Sequence, residues 1–239
     1  MTKLHVIMIT VVSLALATFA QYKGGEVKNG GSISGVVKVK GKIPADPMLK
    51  VDKDQEFCGE TMAAEYYVIS AAGEVKNAVA MIEGIKAGAP LTAKEAFMDN
   101  VKCRNEPRVI IAPKGGMMKY RNSDPINHTA HYFLIGKGGK KKDIINQAMP
   151  RKGMEVKHKK ILRKAGLISI LCDPHTFEQG WIWSLEHPYG AVTNDKGTFK
   201  LENVPAGKHK VKIWHEKLGE KMIDVEVKAG QDTKITVEL

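Results

Sequence analysis

Residues 172–181 read CDPHTFEQGW and set three donor groups at even intervals: Cys172, His175 and Glu178. A thiolate and an imidazole three positions apart can reach one metal ion from a tight loop, and the carboxylate offers a further oxygen. Taken alone, Cys-x-x-His arises by chance in many chains. Here the thiol closes the apolar run LISILC (167–172), which reads as a buried strand that would hold it rigidly. A second imidazole, His128, opens the run HTAHYFLIG after NSDPIN, some forty residues earlier. One thiolate, two imidazoles and a weaker fourth ligand form the donor set of electron-transferring copper centres. Glu178 would be an unusual fourth ligand. A carboxylate is harder than a thioether, so it favours Cu(II) and lowers the reduction potential, with colour moving from blue towards green or red. A Glu178 turned to solvent would leave three donors only.

The remaining histidines read differently. His131 lies three after His128, so on a strand it faces the opposite side. His158 and His209 sit among lysines and read as solvated. Trp181, Trp183 and Trp214 read as packing residues.

The elements that must position these groups are strands. ISGVVKVKG (33–41) alternates, and VKNAVAMIEGI (75–85) reads as a second strand. PLTAKEAFMDN (90–100) reads as a short helix capped by Thr92. Strands follow at 108–112, 117–122 and 128–135, separated by Pro-Lys-Gly-Gly and Ser123–Asn127. MEVKHKKIL alternates again, and QGWIWSLEHPY is the strand leaving the donor loop. Lysine and arginine crowd the stretch between 137 and 164, whose part ahead of MEVKHKKIL reads as a long loop with some helical turn. From 187 onward, short alternating strands divided by Gly-, Pro- and Asn-bearing turns read as a small separate sandwich.

The 239 residues suffice for two modest domains. The first twenty, with Lys3, an apolar run and a small-residue end, read as a cleaved secretory signal, so the chain is expected in the periplasm. Residues 21–31 are Gly-rich and polar and read as a flexible lead-in. Export favours disulfides, yet three cysteines leave one over. Cys58 and Cys103 have no metal-type neighbours and are paired with each other, which stabilises the fold by roughly 4 kcal/mol on a chain-entropy estimate. Cys172 is left for the metal. The net charge of +11 is concentrated between 137 and 164, a docking patch for an acidic protein or an anionic membrane face. Nucleic acid is excluded as a partner by the export signal and the lack of interleaved aromatics.

Residues 108–186 resemble the cupredoxin fold, on RVIIAPKGGMMKYRNSDPINH and EVKHKKILRKAGLISILCDPH. The loop length is amicyanin-type, with glutamate in the methionine position. The whole chain resembles periplasmic methylamine-utilisation-like proteins, in which a cupredoxin domain precedes a carboxypeptidase-regulatory-like sandwich, here on HPYGAVTNDKGTFKLENVPAG and KIWHE. The resemblance implies an all-β chain, with a Greek-key β-sandwich or barrel at 32–186 and a transthyretin-like sandwich at 187–239. It also implies His128, Cys172 and His175 as equatorial copper ligands, with Glu178 axial. Thr129 and Thr176 depart from the family's asparagine and second proline, which implies a looser loop. Two imidazoles, one thiolate and one carboxylate also resemble the set in nitrosocyanin, whose glutamate comes from elsewhere in the chain.

The expected function is single-electron transfer, not catalysis, with His175 facing an acidic cytochrome or dehydrogenase steered by the lysines. Membrane contact would be peripheral at most. The alternatives are a copper site that binds or reduces a small molecule such as nitric oxide, and a metal-free envelope binding module.

Overall fold

Alternating sequence becomes two β-sandwiches in the computed structural model of the protein, which describes residues 21–239; the segment read as a signal peptide lies outside the described residues. Helix among the described residues is limited to Gln55–Cys58 and two single 3-10 turns, so the chain is all-β, as expected. None of these helices is long and apolar enough to cross a membrane.

The first sandwich has a five-stranded sheet in the order Lys141–Met149, His128–Ile135, Gly166–Leu171, Gln179–Leu185, Val109–Pro113. Its partner sheet runs Met154–His158, Met117–Asn122, Glu95–Asn100, Asn105–Glu106. Met98, Tyr120, Tyr132, Ile168, Ile170 and Ile182 fill the space between. The second sandwich joins Gly190–Val192, Val79–Glu83, Gly207–His215 and Gly219–Val227 to a sheet of Thr198–Val204, Gly31–Lys38 and Asp232–Glu238. Its core includes Ile33, Val37, Ile82, Phe199, Val211 and Ile213.

Three expectations change. The first concerns the boundary at 187. Gly31–Lys38 pairs with Thr198–Val204 and Asp232–Glu238, and Val79–Glu83 pairs with Gly207–His215, so the early strands belong to the second sandwich and the first is inserted between them. Val79–Glu83 is buried at four successive positions and so needs cover on both faces, while Gly31–Lys38 turns Ile33 and Val37 into the core that the C-terminal strands complete.

The second concerns 90–100, where the expected helix is replaced by strand Glu95–Asn100, parallel to Met117–Asn122. Ala96 and Met98 turn inward while Glu95 and Phe97 face out, a period of two that a helix cannot satisfy. The third is the basic stretch. Lys141–Met149 is an edge strand on His128–Ile135 and not a loop, while Met154–His158 joins the other sheet, as the alternation of MEVKHKKIL suggests. An edge strand exposed along most of its length carries little hydrophobic periodicity, which is why it reads as loop.

The two sandwiches meet through Val79, Met81, Val109, Leu185 and Trp214. Trp181 and Trp183 pack edge-on to Trp214 at 5.5 and 5.7 Å between ring centres. Beside them Arg108 and Glu216 form a buried ion pair, with Nη2 to Oε2 at 3.0 Å. The tryptophans are packing residues here, as the sequence suggests.

Candidate metal centre

Strand pairing brings the donor residues to one end of the first sandwich. His131 pairs with Leu171 in antiparallel register, so the chain before His131 runs beside the chain after Leu171. That places His128, first in its strand, next to Cys172. Alternation turns His128 inward and His131 outward, where Asp173 and Asp143 hold its ring at 2.8 and 2.7 Å. The donor loop then closes through Glu178 N–H donating to the His175 carbonyl at 2.9 Å.

His128, Cys172, His175 and Glu178 stand together, with one ligand atom of each lying within 4.8 Å of the others. Cys172 Sγ is 3.7 Å from His128 Nδ1 and 3.4 Å from His175 Nδ1. Glu178 Oε1 is 2.9 Å from His128 Nδ1 and 3.6 Å from His175 Nδ1. Donors bound at ~2.0–2.3 Å to a shared ion in a tetrahedral arrangement stand about 3.3–3.7 Å apart, so most of these separations suit one first-row metal. Oε1 is buried and has no hydrogen-bond partner, although a ring nitrogen lies close. Buried polar atoms are nearly always paired, and one left open towards three other donors fits a metal ligand. Thiolate, imidazole and carboxylate together suit copper or zinc.

Glu178 and His175 are held from behind. Asn100 Nδ2 donates to Glu178 Oε2 at 2.9 Å, leaving Oε1 as the free oxygen. Asn100 is in turn oriented by Tyr120, whose hydroxyl lies 2.6 Å from Asn100 Oδ1 and 2.6 Å from Asn105 Oδ1. His175 Nε2 meets Asp54 Oδ2 at 2.8 Å. With a carboxylate there, Nε2 carries the proton and Nδ1 presents its lone pair. His128 Nε2 lies 3.2 Å from Asp124 Oδ2 but makes no aligned hydrogen bond with it. The Asp124 carboxylate already accepts the Lys102 and Cys103 amides at 2.7 and 2.8 Å.

The loop is tied down, contrary to the looseness expected from Thr129 and Thr176. Thr129 Oγ1 accepts the Asp173 amide at 2.7 Å, and the Thr129 amide donates to Cys172 Sγ at 3.3 Å. Thr176 Oγ1 donates to Asp52 Oδ2 at 2.9 Å. Cys58 and Cys103 form a disulfide, which fastens the segment carrying Asp52 and Asp54 to the loop that Asp124 holds. This segment covers His175, which is 0% exposed. The expectation that His175 faces a partner is therefore corrected, because Asp54 stands over its outer nitrogen.

Burial pushes the Cys172 thiol up to about 12, with the charge of Glu178 as the next cause. A neutral thiol is thus the resting form of the metal-free chain, and a cation is what would favour the thiolate. Burial also raises Tyr120 well above its ordinary value, which keeps its hydroxyl a neutral donor.

No protein-family model matches this chain, and neither does any curated protein. Several solved structures do. A purple cupredoxin from Nitrosopumilus maritimus is 17% identical, with a TM-score of 0.31 over 38% of this chain and 99% of its own. A copper(I) structure of an amicyanin variant is 17% identical, with a TM-score of 0.32 over 38% of this chain and 83% of its own. A copper-containing nitrite reductase from Thermus scotoductus is 20% identical, with a TM-score of 0.30 over 44% of this chain and 24% of its own. Likenesses this distant leave the chemistry to be argued from the site itself.

Proposed function

We propose that this chain is an exported mononuclear copper protein that passes single electrons, its ion held by His128, Cys172, His175 and Glu178. The observation that carries the reading is Glu178 Oε1, buried without a hydrogen-bond partner among the two Nδ1 atoms and the free thiol. Bound copper supplies a one-electron couple. The residues decide how that couple is poised. Cys172 brings a soft, polarizable sulfur. Glu178 brings a hard anionic oxygen that favours the oxidised ion, so the potential is low for a site of two imidazoles and one thiolate. Asn100 keeps one carboxylate oxygen occupied and thereby limits Glu178 to a single donor. Asp54 fixes the His175 tautomer.

Electron passage is favoured over small-molecule chemistry by the closure of the site. The four residues are 0, 3, 0 and 2% exposed in chain order, and a reacting molecule would need an open position. Absorption and electron paramagnetic resonance spectra of the copper-loaded protein test the reading. An intense visible thiolate-to-copper band is expected, unchanged by azide. A spectrum that moves on azide addition favours the small-molecule reading, and no band at all overturns copper at this site.

A further inference from the structure

The basic stretch has a defined place in the fold. Ile135, Leu134 and Phe133 pair with Lys141, Lys142 and Asp143, seven to five residues along the strand from His128. Arg163 and Lys164 likewise precede the strand Gly166–Leu171, which leads into Cys172. At ~3.3 Å per residue, both strands put these cations about 20 Å from the metal donors, at the opposite end of the sheet. Arg151 and Lys152 are exceptions, in the turn after Met149, which pairs with His128.

A surface groove of about 440 Å³ lies at this far end. Leu134, Ile144 and Ile161 line it, together with Lys142, Lys160, Arg163 and Lys164. Ile161 is buried, the other two aliphatic residues are half-buried, and the four cations are exposed. The one acid in the lining, Asp143, is paired with His131 at 2.7 Å. Lys137, Lys140 and Lys141 extend the positive face along the adjoining turn.

We propose that this end of the first sandwich docks on an anionic lipid surface, headgroup oxygens pairing with the cations and acyl carbon resting on Leu134, Ile144 and Ile161. Clusters of this size suit anionic headgroups, and the aliphatic lining suits hydrocarbon, which a purely electrostatic protein contact does not need. Distance argues the same way. An acidic redox protein seated here would stand about 20 Å from the donors, too remote for efficient exchange, whereas a surface has no need to approach them. Docking in this way leaves the metal end pointing away from the membrane. The preference for a surface over a redox protein rests on the proposed electron transfer, while the cations and aliphatic lining stand without it.

Co-sedimentation of the exported chain with vesicles tests it, using phosphatidylglycerol mixed with phosphatidylcholine against phosphatidylcholine alone. Binding to the anionic vesicles alone, weakening as salt rises, is expected. Lys142→Glu, Arg163→Glu and Lys164→Glu together should weaken it on the order of 100-fold. Lys208→Glu, Lys228→Glu and Lys234→Glu, the same change in net charge on the other sandwich, should leave most of it. Glutamine at the three groove positions is read in the same way if the charge reversal fails to fold. Equal binding to both vesicle types, no binding at low salt, or binding that survives the groove variant overturns the proposal, and the last result transfers it to net charge.

Discussion

The two ends of the five-stranded sheet are built from the same strands and solve opposite problems. At the end bearing His128 and Cys172, polar groups are buried, and Glu178 and His175 are braced by Asn100, Tyr120 and Asp54. At the other end, Lys142, Lys160, Arg163 and Lys164 stand in solvent around a shallow aliphatic groove. Holding an ion requires fixed donor positions, and fixed positions require burial and a supporting shell. Meeting a surface requires only exposed charge and some apolar area, so long side chains serve without bracing. The contrast also separates the long-range charge of the molecule from its buried donor cluster.

The contrast can be broken first at Cys172. Cys172→Ser should abolish the visible band and weaken copper binding by at least ~1000-fold, as the soft, anionic donor is lost. A variant that keeps the band would remove the thiolate from the site. Next, Glu178→Met should raise the potential. A ~100-fold loss of preference for the oxidised ion corresponds to about 120 mV at 59 mV per tenfold. An unchanged potential in redox titration would place the carboxylate outside the ligand set.

The supporting shell should matter less, yet measurably. Asn100→Ala and Asp54→Ala should each lower copper affinity ~10–100-fold in competition titrations, with altered paramagnetic resonance spectra. Wild-type spectra in both would mean that the shell only fills space.

Proton linkage gives a further handle on this end. The thiol, pushed up to about 12 in the metal-free chain, must lose its proton when the ion binds. Below that value each unit of rising pH removes a tenfold competition from protons, so affinity should climb about tenfold per unit between about pH 6 and 8. A flat profile would mean that a thiolate already exists. The smallest effect belongs to the far end. Lys142→Glu or Arg163→Glu should move the potential by no more than about 10 mV per charge, because ~20 Å of separation and salt screening leave little field.

Much of the fold was legible from alternation alone, as at 117–122 and 128–135, because one covered face imposes a period of two. The alternation failed where coverage was unusual. The Lys141–Met149 strand is mostly exposed, so it lacks the pattern. Glu95–Asn100 carries helix-favouring residues just before its inward pair, and sheet pairing overrode that local preference. His128, Cys172, His175 and Glu178 could be singled out because donor type and loop spacing are local properties. Asp54 and Asn100 could not, since a single aspartate or asparagine carries no signal until folding brings it 121 or 78 residues across the sequence.

By itself the sequence determined the donor types, the odd cysteine, the loop that joins three of the donors and the concentration of positive charge, because each depends on composition or short spacing. Only the tertiary structure decided how near His128 comes to the other three donors, that Asp54 seals the outer edge of His175, and that the lysines collect at the pole remote from the donors. Those outcomes depend on register and on which distant segment covers which face. Such choices are made by packing the whole chain at once, and no local stretch encodes them.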